Sequence, residues 1–282
     1  MLLPGSILLP HYACAPAQEE QIVNLPQAQI SYEARRTKNH YNEGVRLQNL
    51  GNSKRAIVQF ESSLSYDSLY VPSHERLQDI FRFIPGKEDS IRAVYNSLKD
   101  SHPDNARYVY LAGRLLDVEE KESEFKRAIR LDSLFYWGYF GLGKIYLTTG
   151  LFDEAIKQFK KAIAINPAIP DAQLELGLAY ENLDQCTKAV KQYKKVLHIN
   201  PKVVPDAYYF LGRIYANQAD TSQSPEHFKQ YTSQSLEHFK KYLDLVKQGG
   251  YVDSARTRLS GMQTALDSLK FIEEIKKSGL EK

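Results

Sequence analysis

The chain has 282 residues, 43% hydrophobic and 25% charged, a balance that excludes a disordered polar polymer. A net charge of +3 makes no general case for nucleic acid, and no apolar run approaches the ~20 residues that cross a bilayer. Two cysteines, Cys14 and Cys186, are too few for a disulfide framework.

Taken in order, residues 1–17 read as a signal peptide. Leu2, Leu3, Ile7, Leu8 and Leu9 supply a short apolar stretch, and Ala15-Pro16-Ala17 has the small-x-small form of a cleavage site. The expected location is therefore outside the cytoplasm, periplasmic or secreted, with anchoring through Cys14 a further option. The alternative is a cytoplasmic protein with an unprocessed N-terminus. Residues 18–36 are polar and form a lead-in, with a helix near Ile30 to Arg36.

From Thr37 a period of about 34 residues divides the chain into 37–70, 71–104, 105–135, 136–169, 170–203 and 205–248. The clearest copy carries Tyr139, Leu142, Gly143, Tyr146, Gly150, Ala155, Phe159, Ala162 and Pro167. Its successor carries Gln173, Leu176, Gly177, Tyr180, Asp184, Ala189, Tyr193, Val196 and Pro201 at the same places. Small residues at fixed points within an apolar 3/4 spacing predict two helices in close contact. The second copy is degenerate, with Pro85-Gly86 as its turn, and the third is three residues short.

In the sixth copy SQSPEHFKQYT (222–232) is followed by SQSLEHFKKYL (233–243), a tandem duplication. Eleven residues overshoot three helical turns by only ~20°, so the block extends a helix without moving its buried face. Ser224-Pro225 predicts an N-cap and first-turn proline. Gly249-Gly250 ends that helix, and residues 249–282 hold a last one. Its stripe of Val252, Ala255, Leu259, Met262, Leu266 and Leu269 suits a terminal cap.

The period and its markers resemble the tetratricopeptide repeat (TPR), with Tyr139 and Gln173 standing where that family usually has tryptophan. The resemblance implies an all-α, right-handed superhelical solenoid of helix–turn–helix repeats with a C-terminal capping helix. It further implies a concave groove lined by the first helix of each repeat, which receives a peptide or partner protein. Carried onto this chain, the groove positions are Tyr41, Asn42, Gln48 and Asn49, then Glu75, Arg76, Asp79 and Arg82, then Tyr110. Trp137, Phe140 and Lys144 follow, then Asp171 and Glu175, then Asp206, Tyr209, Arg213 and Asn217. Tyr41 and Val45 occupy the places where some members clamp a C-terminal carboxylate with Lys and Asn, which argues against that specialised docking.

Parts for chemistry are lacking. Residues 138–145, GYFGLGKI, nearly spell a phosphate loop, but Ile145 replaces the hydroxyl residue and the segment belongs to a repeat helix. The histidines show no metal spacing, and Cys186 has no base that the sequence can locate. The expected function is a non-enzymatic scaffold for a protein or peptide partner, without cofactor, metal or nucleic acid. Rival readings are an envelope- or carbohydrate-associated binding module and a non-catalytic subunit of an enzyme complex. Lys126-Arg127, Lys160-Lys161, Lys194-Lys195 and Lys240-Lys241 recur after the large apolar residue of the second helix. They predict a basic ladder on the convex side, read as a solvated face or as a docking strip for an acidic protein or anionic membrane surface.

Overall fold

A computed structural model of the chain describes residues 27–199, 202 and 204–278. The signal peptide expected at 1–17 and the first part of the lead-in lie outside them. The described residues form helices and no strand. Six hairpins pair α1 (Gln27–Asn49) with α2 (Ser53–Tyr66), α3 (Val71–Arg82) with α4 (Glu88–Ser101), and α5 (Ala106–Gly113) with α6 (Val118–Leu131). The series continues with α7 (Tyr136–Thr148) and α8 (Phe152–Ile165), α9 (Pro170–Asn182) and α10 (Cys186–Ile199), α11 (Asp206–Asp220) and α12 (Pro225–Leu245). A last helix, α13 (Val252–Ser278), packs on α12. Each helix packs on its neighbours in the chain, giving an all-α solenoid.

The turn chemistry repeats with the sequence. Gly51, Gly150 and Asp184 hold the same place in hairpins one, four and five, and all three have positive φ, at 79°, 80° and 55°. Each closes its first helix with the same long backbone bond. Asn52 N–H donates to the Leu47 carbonyl at 2.9 Å, Leu151 to Tyr146 at 2.8 Å, and Gln185 to Tyr180 at 2.9 Å. Left-handed backbone at this point reverses the chain, and glycine or a short polar side chain tolerates it best.

Contact within a hairpin is set by a glycine facing a ring. A Cβ on Gly44, Gly143, Gly177 or Gly212 would stand within 3.0 Å of the ring of Phe60, Phe159, Tyr193 or Phe239 respectively. All four rings are fully buried. Hairpin two departs because Gln78 fills the small position; its amide bonds forward to the Leu111 carbonyl of hairpin three at 2.8 Å. Hairpin three loses its residues from the end of α5, which ends at Gly113 after 8 residues, against 13 in α7 and α9.

Two features differ from the sequence expectation. The lead-in is no separate segment from Gln27 onward, because α1 continues without a break to Asn49. No proline interrupts 27–49, so nothing stops the helix at Thr37. The basic ladder is also broken up chemically. Lys126 bridges Glu122 at 2.6 Å and Lys241 bridges Glu237 at 2.6 Å, while Lys160 and Lys161 lie over the rings of Tyr180 and Tyr139.

The ends of the solenoid meet. Lys247 N–H, just beyond α12, donates to the Asn49 carbonyl at the first hairpin turn at 2.9 Å, and Gln248 lies against Gly51. This contact links the two ends of the concave groove, and the space they bound is the channel.

Candidate functional site

The channel wall is built from first helices, so its chemistry follows from their inward residues. Where α1, α7 and α9 face one another they enclose a cavity of about 450 Å³. Tyr41, Asn42 and Lys38 of α1 line it, with Asp67, Tyr70, Tyr136, Trp137 and Asp171. Tyr70 stands edge-on to Tyr41 with ring centroids 5.6 Å apart. Burial pushes the Tyr41 hydroxyl up to about 12, and the Arg76 guanidinium beside it opposes that rise.

Deeper in, Asp171, Glu175 and Asp206 share the space with Arg76 and Lys144. Burial pushes Asp206 up to about 6; Arg76 pulls it down and Asp171 adds to the rise. Glu175 is raised by burial as well, with Lys144 opposing and Asp171 and Asp206 reinforcing. Charge is therefore mixed along this wall, and Glu175 and Asp206 are largely desolvated.

A second hollow, of about 240 Å³, opens between α3, α5, α6 and α7. Its two carboxylates are already engaged: Arg114 pairs with Glu75 at 3.2 Å and with Asp79 at 3.0 Å. The Tyr110 hydroxyl donates to Glu75 at 2.7 Å, and Arg114 donates to Gln78 at 2.7 Å. Arg82, Lys121 and Lys144 also line this hollow, giving it an excess of cations. Burial holds the Lys121 ammonium below its usual range, and Arg82, Arg114 and Lys144 lower it further.

A third cluster joins hairpins five and six. Glu181 accepts from the Tyr193 hydroxyl at 2.9 Å and from Arg213 at 2.7 Å, and the Arg213 guanidinium lies 4.9 Å from the centre of the Phe210 ring. Tyr209 stacks on Tyr251, with centroids 4.3 Å apart and planes within 6°.

The expected groove residues therefore divide. Tyr41, Asn42, Trp137 and Asp171 come together at the large cavity, with Arg76 and Glu175 behind them. Asp79, Tyr110 and Lys144 meet at the second hollow, and Tyr209 and Arg213 at the third cluster. Tyr41, Tyr110, Trp137, Phe140 and Tyr209 are buried, so each offers at most an edge. Phe140 packs under Trp137 and Lys144. Asn49 sits at the end-to-end contact, and Asn217 is exposed near the end of α11.

Asp67, Tyr70, Tyr136, Lys121 and Tyr251 are missed by counting positions on first helices. A signal does exist for the loop residues: Asp67-Ser-Leu-Tyr70 and Asp132-Ser-Leu-Phe135 are the same motif. In each, the aspartate accepts from the backbone two residues on, at 3.0 and 2.9 Å, and sets the following aromatic at the channel-side start of a helix.

Among the described residues no group of three or more His, Cys, Asp or Glu side chains is placed to hold a metal ion. No described helix is long and apolar enough to cross a membrane. The near-phosphate-loop sequence is helical throughout, inside α7.

Residues 148–184 match a family model described as TPR repeat, and residues 171–202 one described as tetratricopeptide repeat. No curated protein matches the chain. Similar solved structures include the MamA protein, at 25% identity over 60% of this chain and 94% of that one, with a TM-score of 0.37. Another is TTC0263, a thermophilic TPR protein of Thermus thermophilus, at 19% identity over 71% and 99%, with a TM-score of 0.44. A third is MamA (41-end) from Desulfovibrio magneticus RS-1, at 17% identity over 62% and 94%, with a TM-score of 0.45. The two overlapping family matches fall on α8, α9 and α10, where the glycine–aromatic contacts repeat, and residues 148–202 of the chain carry tetratricopeptide repeats.

Proposed function

We propose that the protein is a non-enzymatic scaffold that holds an extended segment of a partner protein in its channel. One observation carries the reading: the 450 Å³ cavity is walled by aromatic rings and carboxylates drawn from separate hairpins. Rings give a peptide apolar area, while Asn42, Asp67, Asp171 and Lys38 can engage its backbone and charged side chains. The family's habit of receiving peptides on this face supports it.

The test is capture of partner protein by the full chain and by Asp171→Arg, with Asp153→Arg at the start of α8 as control. The channel variant should lose capture while circular dichroism shows it still folded, and the control should keep it. Equal capture by all three would refute binding in the channel.

A further inference from the structure

The second helices face outward, and five of them carry acids among their bases. Glu61 lies on α2, Glu88 on α4, Glu122 on α6, Glu154 on α8 and Glu237 on α12. α10 has none. It carries Lys188, Lys191, Lys194 and Lys195 with no Asp or Glu from Cys186 to Ile199. Lys191, Lys194 and Lys195 are exposed, and among the described residues no ion pair engages them.

These lysines border a shallow depression of about 690 Å³ whose described lining includes no carboxylate. Pro167, Val190 and Ile199 give it an apolar floor, and Ile199 is 38% exposed.

We propose that the outer face of α10 is a second docking surface, for an acidic, partly apolar segment of a partner protein. Carboxylates of that segment meet Lys191, Lys194 and Lys195, and its aliphatic side chains cover Val190 and Ile199. The surface lies on the convex side, apart from the channel, so a scaffold could hold two proteins at once. A membrane fits this face less well, because the apolar floor lies in a depression between the lysines. Exposed charges are screened beyond about 8 Å at physiological salt, so only a segment in near contact gains from them.

The probe is a fluorescein-labelled peptide of alternating Glu and Leu, followed by anisotropy with the full chain. The wild type should bind it, more weakly as salt rises. Lys191→Glu/Lys194→Glu/Lys195→Glu should weaken binding about tenfold or more, since like charges now face the peptide. Ile199→Ser, which removes an exposed part of the apolar floor, should weaken it by a smaller factor while the protein stays folded by circular dichroism. Lys157→Glu/Lys160→Glu/Lys161→Glu on α8 changes net charge equally and should leave binding nearly intact. Absence of binding, or equal loss in both triple variants, overturns the proposal. So does binding of phosphatidylserine vesicles in place of the peptide.

Discussion

Gly212 on α11 receives the ring of Phe239 on α12, 27 residues downstream, whereas Gly44 and Phe60, Gly143 and Phe159, and Gly177 and Tyr193 are each 16 apart. The difference is eleven residues, the length of the duplicated block. The insert therefore lengthens hairpin six while leaving its central contact in place. It also keeps α11 helical to Asp220, 15 residues against 13 in α7 and α9.

Deleting 222–232 should leave a cooperatively folding protein, because Phe239 then returns to the standard spacing. The end of α11 must reopen as a turn, with Ala219 taking the left-handed place of Gly150. That strain costs about 1–2 kcal/mol for a residue with a Cβ. Ala219→Gly in the deletion background should recover part of the lost melting temperature. A broad, non-cooperative melt would show that the insert belongs to the core.

The glycine contacts make a sharp stability prediction. Gly177→Leu drives a side chain into Tyr193 and should destabilise by about 1–3 kcal/mol or more from overpacking. Phe159→Ala empties a fully buried position and should cost about 3–5 kcal/mol. Gly261 is the contrast, since nothing described lies near its absent Cβ within α13. Gly261→Ala should stabilise by up to about 1 kcal/mol through helix propensity. Urea unfolding of the three variants checks the set.

Two titrating groups should oppose each other below neutrality. Asp206 has a folded pKa raised to about 6 from 3.8, so it binds its proton more tightly in the folded state, and stability falls as pH rises from about 4 to 6. His238, stacked on Tyr215 and partly buried, is lowered to about 4 from 6.5; its contribution is lost as pH falls through that window. Asp206→Asn should raise stability by about 1–2 kcal/mol at pH 7 and by little at pH 4. The same variant should show a steeper acid loss than wild type, and adding His238→Phe should flatten it. Melting temperatures across pH 4–7 would record this, and parallel curves for all variants would contradict it.

Much of the hairpin architecture was legible because Gly143, Gly177, Phe159 and Tyr193 do the same job at the same spacing. Tyr70, Tyr136 and Lys121 were not, for geometric reasons. The tyrosines enter the channel at helix starts, and Lys121 reaches it from a second helix because α5 is short. The closing contact was illegible for a different reason. It is a backbone bond between Lys247 and Asn49, and such a bond leaves no side-chain pattern to read.

That closure can be probed by removing its donor. Val246 has φ −119° and ψ 122°, a conformation that accepts a following proline. Lys247→Pro should therefore delete the N–H at a cost of about 1 kcal/mol and loosen the ring. Spin labels on Ser53 and Asp244 should give one narrow distance distribution in wild type and a broader, longer one in the variant. A broad distribution already in wild type would mean that the ends do not meet.

The most direct measurement of the central claim is photo-crosslinking from inside and outside the channel. A benzophenone amino acid in place of Asn42 faces the large cavity, and one in place of Lys157 faces solvent on α8. With a captured partner bound, residue 42 should yield adducts concentrated on one extended segment of that partner, and residue 157 should yield none to that segment. Adducts from residue 157 alone would place the partner on the outer surface and contradict binding in the channel.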